Sequence, residues 1–436
     1  MLRKFLARNY RSIENETLHL EPLSVFVGPN GSGKTNLFRG LELFGELLYA
    51  GSTEPALEDA WDAICYRGAR TRSTIQFGAS LKVPLLRSDE SAKDEVWVDI
   101  DLTLRHSSSD DDVTVQSEHL GLRRYVDGKW HTLSVTADGK HSVQAEPGDD
   151  PVLWEMAVSD FYFDNPKRAL TRQLVTGLLQ SRHARSQHRA DSQDAHVLVL
   201  NQLFRSSFWY TRFVIPQCRV RRYRMETASL RGYTTGAPAP PRGQLGLSGE
   251  GLPDVIDRLR REDGLQPVLQ EMRSVLPRLN NVTTERHSYG RRTLLFHEDG
   301  HTRPLPDTSV SDGTLHTLAI LALLAPEKRT LISRGRVIVL EELENAVHPW
   351  AVAALLRAAE NATLRNLQVL ISTHSPVVVD STPVRSLFVV ENEGANTSIT
   401  RAESIRAGLK DRLDRSGMTL GETWLHGMIG GNPLRG

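Results

Sequence analysis

Cysteine is almost absent: Cys65 and Cys218 are the only two in 436 residues. That excludes a disulfide framework and a clustered thiolate metal site. An excess of charge of one sign is missing as well, because Lys plus Arg and Asp plus Glu both total 53. Global charge therefore gives no argument for nucleic acid, and any such reading must rest on a local patch. No stretch approaches the roughly 18 apolar residues of a membrane span, and no apolar signal segment opens the chain. The expected location is the cytoplasm, with no membrane partner. No internal repeat is found. What remains is a globular composition, 39% apolar and 24% charged. The length suits two or three structural units better than one core.

The chain divides into three stretches. Residues 2–6 and 17–27 read as two strands ending at a Gly/Pro turn, and Asn36–Tyr49 carries Leu37, Leu41, Phe44 and Leu48 at helical spacing. Strands are expected at 74–83 and 95–104. More antiparallel strands are expected over 113–145, around the Asp127–Gly128 and Asp138–Gly139 turns. Near residue 150 the pattern turns helical, and residues 232–249 are a Gly/Pro-rich loop. Helical signals resume over 252–278, followed by a strand at 291–297 and a helix at 314–325. The last third has an α/β rhythm: Val337–Leu340 is a continuous apolar run of the buried parallel type, Trp350–Thr363 a helix, Val369–Ile371 and Leu387–Val390 short strands. The expected fold is thus a discontinuous α/β nucleotide-binding domain. Its N-terminal lobe spans 1–150 with an antiparallel β-subdomain, a mainly helical insertion spans 151–265, and the C-terminal lobe spans 266–436.

Gly28-Pro29-Asn30-Gly31-Ser32-Gly33-Lys34-Thr35 matches G-x-x-x-x-G-K-[ST] in full. Its glycines let successive amides turn inward as an anion nest, and the helix that opens at Lys34 brings its positive dipole end beneath the phosphates. Asn30, Gly31, Ser32, Gly33, Lys34, Thr35 and Asn36 are the candidate nucleotide contacts. Lys34 reaches the β- and γ-phosphates of ATP, and the Thr35 hydroxyl can ligate Mg²⁺. A chance match arises in roughly one chain of this length in a hundred, and here a strand precedes the loop and a helix follows it.

Two carboxylates, Glu341 and Glu342, end the strand Val337–Leu340. In parallel sheets such ends face the ligand crevice. Glu341 is assigned to the metal side and Glu342 to the base that orients the attacking water. Another strand ends in Ser372-Thr373-His374, which brings His374 to the same crevice. Ser311-Asp312-Gly313-Thr314 opens an apolar helix. Ser311 and Gly313 read equally as a helix cap or as an anion site serving a second subunit. Arg219, Arg221, Arg222, Arg224, Arg231 and Arg242, interleaved with Tyr223 and Tyr233, face a single acid, Glu226. A second basic run is Arg182, His183, Arg185, His188 and Arg189. DNA or RNA, an acidic protein partner and a plain solvated surface all remain open for these stretches.

GPNGSGKTN, VSDGTLHTLAILALL, VIVLEELENAVHP and ISTHSP, in this order, resemble the ABC-type ATPases of the SMC, RecF and OLD group. The set is most similar to the compact AAA-family ATPases of bacterial anti-phage defence systems. It covers residues 1–80 and 270–380. The resemblance implies that two chains sandwich two ATP molecules head to tail. Ser311 and Gly313 would reach the partner's γ-phosphate, Glu341 would stand beside Mg²⁺, and Glu342 would act as base. His374 would be the switch histidine, and Asn345 would lie in the stretch crossing the interface. Leu343 departs from the usual proline. No glutamine stands clearly at the Q-loop position; Gln76 and the Tyr66-Arg67-Gly68 segment are the nearest candidates. The insertion is too short for an SMC-type coiled coil, and the tail too short for the nuclease domain of OLD proteins. The implied function is a homodimeric or larger ATPase, the sensor or motor of a defence assembly whose separate effector is a nuclease. The alternative is a RecF-like DNA repair ATPase with no toxic effector. Either way, Lys34→Ala is expected to abolish ATP binding in calorimetry, and unchanged affinity would refute the phosphate-loop reading.

Overall fold

Pro22 divides what hydrophobicity alone reads as one strand over 17–27, because it lacks the amide a ladder needs. The N-terminus therefore holds three strands: β1 (Leu2–Tyr10) and β2 (Ile13–His19) pair as a hairpin, and β3 (Leu23–Val27) leaves for a different sheet. The computed structural model describes residues 1–58, 60–68, 73–84, 95–107, 112–138, 142–146, 153, 188–189, 196–205, 207, 209–232, 240–241, 243–286, 292–326, 337–405, 413 and 417–431. Most of the expected helical stretch over 151–195, with Arg182, His183 and Arg185, lies outside the described residues, as do Tyr233 and Arg242.

The antiparallel subdomain runs β2-β1-β4-β5-β6-β7-β8-β9 and adds β4 (Thr74–Pro84), β5 (Glu95–Ser107), β6 (Asp112–Val126), β7 (Lys129–Asp138), β8 (Ser142–Glu146) and β9 (His188–Arg189). Alternate residues of β5 are buried, as a sheet with one covered face requires. At the expected β6–β7 turn, Asp127 and Gly128 both have positive φ, 51° and 81°, the geometry of a two-residue hairpin.

The second sheet runs β10 (Val220–Tyr223), β14 (Val337–Leu340), β15 (Gln368–Thr373), β3, β16 (Leu387–Glu393) and β17 (Asn396–Arg401). Its first five strands are parallel, and β17 returns antiparallel to β16. Every residue of β3, β14 and β15 is buried, since both faces are covered. A small sheet of β11 (Leu279–Arg286), β12 (Arg292–Glu298) and β13 (Leu305–Pro306) stands apart. The edge strand β10 was not foreseen: part of the Arg-rich stretch expected in the insertion is a strand of the nucleotide-binding sheet.

Helix α1 (Lys34–Ala50) lies between the two large sheets. Phe44 of α1 meets Phe5 of β1 with centroids 6.0 Å apart, and Phe38 meets Phe26 of β3 edge-on at 5.3 Å. The other face of the parallel sheet is covered by α2 (Leu252–Arg261), α3 (Leu265–Val275), α4 (Asp312–Leu324) and α5 (Pro349–Thr363). Buried Gln368 ties the sheets together, accepting from the Leu2 amide and donating to the carbonyls of Leu2 and Glu21.

Within α1, Gly45 leaves no room for a side chain, because a Cβ there would stand 2.2 Å from the Cys218 carbonyl oxygen just before β10. Gly-to-Ala in a helix ordinarily stabilises by about 1 kcal/mol. Here backbone blocks it, so Gly45→Ala is expected to lower the denaturation midpoint by the equivalent of about 1–3 kcal/mol. A raised midpoint would show that β10 does not press on α1.

Candidate functional site

The phosphate loop joins β3 to α1 at the C-terminal edge of the parallel strands. Gly31 and Gly33 have φ of 75° and 107°, which L-residues rarely adopt. Gly33 is also pressed by Thr397 of β17, where a Cβ would fall 1.9 Å from Oγ1. The β16–β17 hairpin holds the loop from outside: Thr397 donates to the Ser32 carbonyl at 3.2 Å and Asn392 to the Gly31 carbonyl at 3.2 Å. Asn36 donates to Ser12 Oγ, which bonds Thr397 Oγ1 at 2.7 Å. Asn30 and Thr35 are exposed, Ser32 is buried.

Lys34 is buried at the centre. Its ammonium donates to the carbonyls of Gly28 at 2.8 Å and Pro29 at 2.9 Å, with Ser32 Oγ at 3.4 Å. Burial pushes its pKa down to about 8, against the pull of Glu344 and then Glu342. These two carboxylates therefore belong to the field of the phosphate loop.

Both expected acids emerge from β14 and turn at once. Glu341 accepts from Arg222 Nη1 at 2.8 Å, and the same guanidinium donates to Glu42 of α1 at 2.6 Å. Glu342 has a φ of 53°, held where its amide donates to Ser372 Oγ at 3.1 Å. Its carboxylate accepts from Arg224 Nη2 at 3.2 Å. Leu343, in the place of the usual proline, donates its amide to the Ser372 carbonyl at 3.3 Å, which a proline could not do. His374 follows β15 and stands beside the Gly28 backbone. Burial first, then the Lys34 charge, lower its pKa, so the imidazole is neutral near pH 7. Lys34, Glu342 and His374 thus lie within one electrostatic field.

Ser311 and Gly313 do not join that group. Ser311 caps α4, accepting from the Thr314 amide at 3.2 Å, and Gly313 packs on the Ala346 carbonyl oxygen, 2.5 Å from where a Cβ would be. Arg231 fastens the segment by donating to the Val310 carbonyl at 3.0 Å and to Asp312 at 2.7 Å.

Some partners escaped the motif reading. Glu344 accepts from Thr373 Oγ1 at 2.8 Å and from the His374 amide at 2.5 Å, fixing the loop after β15. A third acid in Glu341-Glu342-Leu343-Glu344 was the available signal. Arg222 in β10 and Arg224 just after it are two residues apart and reach the same site; that spacing was their signal. Much of the arginine stretch is engaged within the protein, although Arg224 is exposed. Arg219 lies over the Tyr49 ring, Arg222, Arg224 and Arg231 hold acids, and Tyr223 is buried. Gln76 sits inside β4 opposite Arg8 and Thr103, and the residue that follows β10 at the acids is Arg224.

A glycine-rich loop on a parallel sheet, a histidine at the neighbouring strand end and two acids at the next define a P-loop ATPase of the ABC type. Residues 158–380, just over half of the chain, match the family model described as "AAA domain, putative AbiEii toxin, Type IV TA system", and the chain belongs to that family. Residues 1–118 match a model described as an AAA ATPase domain. An OLD nuclease of Thermus scotoductus is 44% identical over 43 residues, a stretch covering 10% of this chain and 8% of that protein. Among solved structures, an SMC head bound to the C-terminal winged-helix domain of ScpA is similar with a TM-score of 0.45 at 9% identity, covering 92% of this chain and 96% of that one. The SMC head domain of Thermotoga maritima gives 0.42 at 10% identity, covering 92% and 98%. No described helix is long and apolar enough to cross a membrane.

The Lys34 ammonium sets a pH dependence. Below about pH 8 the free protein carries the charge that phosphate needs; above it, binding must first take up a proton. Affinity for a non-hydrolysable ATP analogue is expected to be flat from pH 7 to about 8 and to weaken as pH rises further. Equal affinity at pH 7.5 and 9.5 by calorimetry would contradict a buried, deprotonatable lysine at the site.

Proposed function

We propose that this chain closes as a head-to-tail homodimer around two ATP molecules and serves as the sensor or motor subunit of a bacterial defence complex whose separate effector is a nuclease. The observation that carries the reading is the segregation of the Ser311–Thr314 segment. Ser311 and Gly313 are fastened to Thr314 and to the Ala346 carbonyl, while Lys34, Glu342 and His374 gather at the phosphate loop. A helix N-terminus so presented is an anion site for a phosphate carried by another copy. Exposed Asn345 and Trp350 flank the same turn.

In this reading the amides from Asn30 to Asn36 cradle the phosphates, and Lys34 pairs with the β- and γ-phosphates. Glu342 orients the attacking water and takes its proton, while neutral His374 holds the terminal phosphate. Thr35 and Glu341 would hold Mg²⁺, which supplies neutralisation of phosphate charge when bound. Their hydroxyl and carboxylate are oxygen donors of the type that ion takes, and Glu341 already spends Oε1 on Arg222. Among the described residues no group of three or more His, Cys, Asp or Glu could hold a metal alone, whereas magnesium takes a hydroxyl and a carboxylate together with phosphate oxygens and water. The matched family's description, which names a toxin of a type IV toxin–antitoxin system, supports a role in cellular conflict. The engagement of Arg219 with Tyr49, of Arg222 with two acids and of Arg231 with the segment before α4 weighs against the RecF-like alternative, in which this stretch would face DNA.

Glu342→Gln tests the proposal. Turnover is expected to fall about 100-fold or more, and light scattering should find a dimer only with ATP. A monomer under saturating ATP would refute the composite site. Turnover strongly stimulated by DNA alone would favour the repair ATPase.

A further inference from the structure

Two guanidiniums, one in the edge strand β10 and one just past its end, hold Glu341 and Glu342, and the two differ in kind. Arg222 lies in the middle of β10, its side chain only 20% exposed, and bridges Glu42 of α1 to Glu341. Both its bonds are short, at 2.6 and 2.8 Å, and its acidic partners hold its pKa above the ordinary value despite burial. It is a strut joining α1 to β14. Arg224 stands just past the strand end, 58% exposed, with one ion pair at 3.2 Å to Glu342. Nothing else among the described contacts holds its guanidinium. Its carboxylate partner lies in the electrostatic field of both Lys34 and His374, the groups around which the terminal phosphate is read to sit.

We propose that Arg224 exchanges partners when ATP binds, leaving the Glu342 carboxylate for the γ-phosphate. This rests on the phosphate-site reading above and adds a catalytic residue to it. The physical argument is competition between two anions for one mobile cation. A guanidinium binds a phosphate through two parallel N–H···O bonds to a group of higher charge than a carboxylate, and charge-assisted pairs of that geometry are the stronger ones. Arg222 cannot make the exchange, because it is anchored at two acids and largely covered. Arg224 can, because one bond at the rim is all it must break. The exchange has two effects at once. It removes a cation from the group that must take a proton from water, and it sets a positive charge on the phosphate as negative charge develops there. ADP has no γ-phosphate and leaves Arg224 on Glu342, so the arginine reports which nucleotide is bound.

The test uses the full chain and two nucleotides, ADP and a non-hydrolysable ATP analogue, with dissociation constants measured by calorimetry. Arg224→Ala is expected to reduce the preference for the analogue over ADP by about tenfold or more while leaving ADP affinity within about twofold. Glu342→Gln removes the competing carboxylate, so it should tighten analogue binding when Arg224 is present and have no such effect in the Arg224→Ala background. That difference closes a double-mutant cycle. Arg224→Lys, which keeps charge without the fork, is expected to restore the preference only in part. An unchanged analogue-to-ADP ratio in Arg224→Ala would overturn the exchange. So would faster turnover with an unchanged ratio, since Arg224 would then only restrain Glu342. Failure of the underlying site reading has a different signature: ADP and analogue would both bind equally well to the wild type and to Lys34→Ala.

Discussion

A buried ammonium group whose ligands are the carbonyls of its own loop organises this protein. Lys34 gives up hydration and receives Gly28 and Pro29 oxygens in return, yet its proton is held less tightly than in water. Desolvation therefore outweighs the attraction of Glu344 and Glu342. A site in this condition is under-compensated in negative charge, and an entering polyphosphate supplies what the carboxylates do not. The glycines, the inward amides and the helix start all serve to keep that cation in place without a covering anion of its own.

The surrounding acids are correspondingly restrained. Glu341 is held by Arg222, Glu342 by Arg224 and by a backbone turned to positive φ, and Glu344 by Thr373 and the His374 amide. None is free to fold over Lys34 and neutralise it. The same bonds connect the site to its surroundings, since Arg222 reaches α1 and Glu344 fixes the loop that carries His374. A change in charge at the phosphate loop thus meets strand β10 on one side and the loop after β15 on the other. Ser311 and Gly313 stay outside this circuit, fastened to Thr314 and the Ala346 carbonyl.

Much of this was legible residue by residue. The phosphate loop is eight contiguous positions whose chemistry depends on local backbone freedom, so Gly31 and Gly33 could be read without tertiary information. Val337–Leu340 is too apolar to be anything but a strand covered on both faces, and the acids that end it follow from that. Pro22 separates β2 from β3 where the apolar pattern over 17–27 runs on unbroken. The edge strand β10 could not be read as a sheet member: four residues carry no periodicity long enough to separate strand from loop. Its arginines looked like a solvent-facing patch because net local charge says nothing about which carboxylates lie across from it.

Contiguous features were therefore determined by the sequence alone: the phosphate loop, the parallel strands that end at Glu342 and His374, and the ATPase class of the chain. Each depends on interactions within a few residues, or on hydrophobicity that leaves one choice. The pairing of charges was decided only by the tertiary structure. Arg222 and Glu341 are 119 residues apart, and Leu2 and Gln368 are 366 apart. Which acid meets which guanidinium depends on strand order, with β10 lying beside β14 at the sheet edge, and strand order is set by packing across the whole chain.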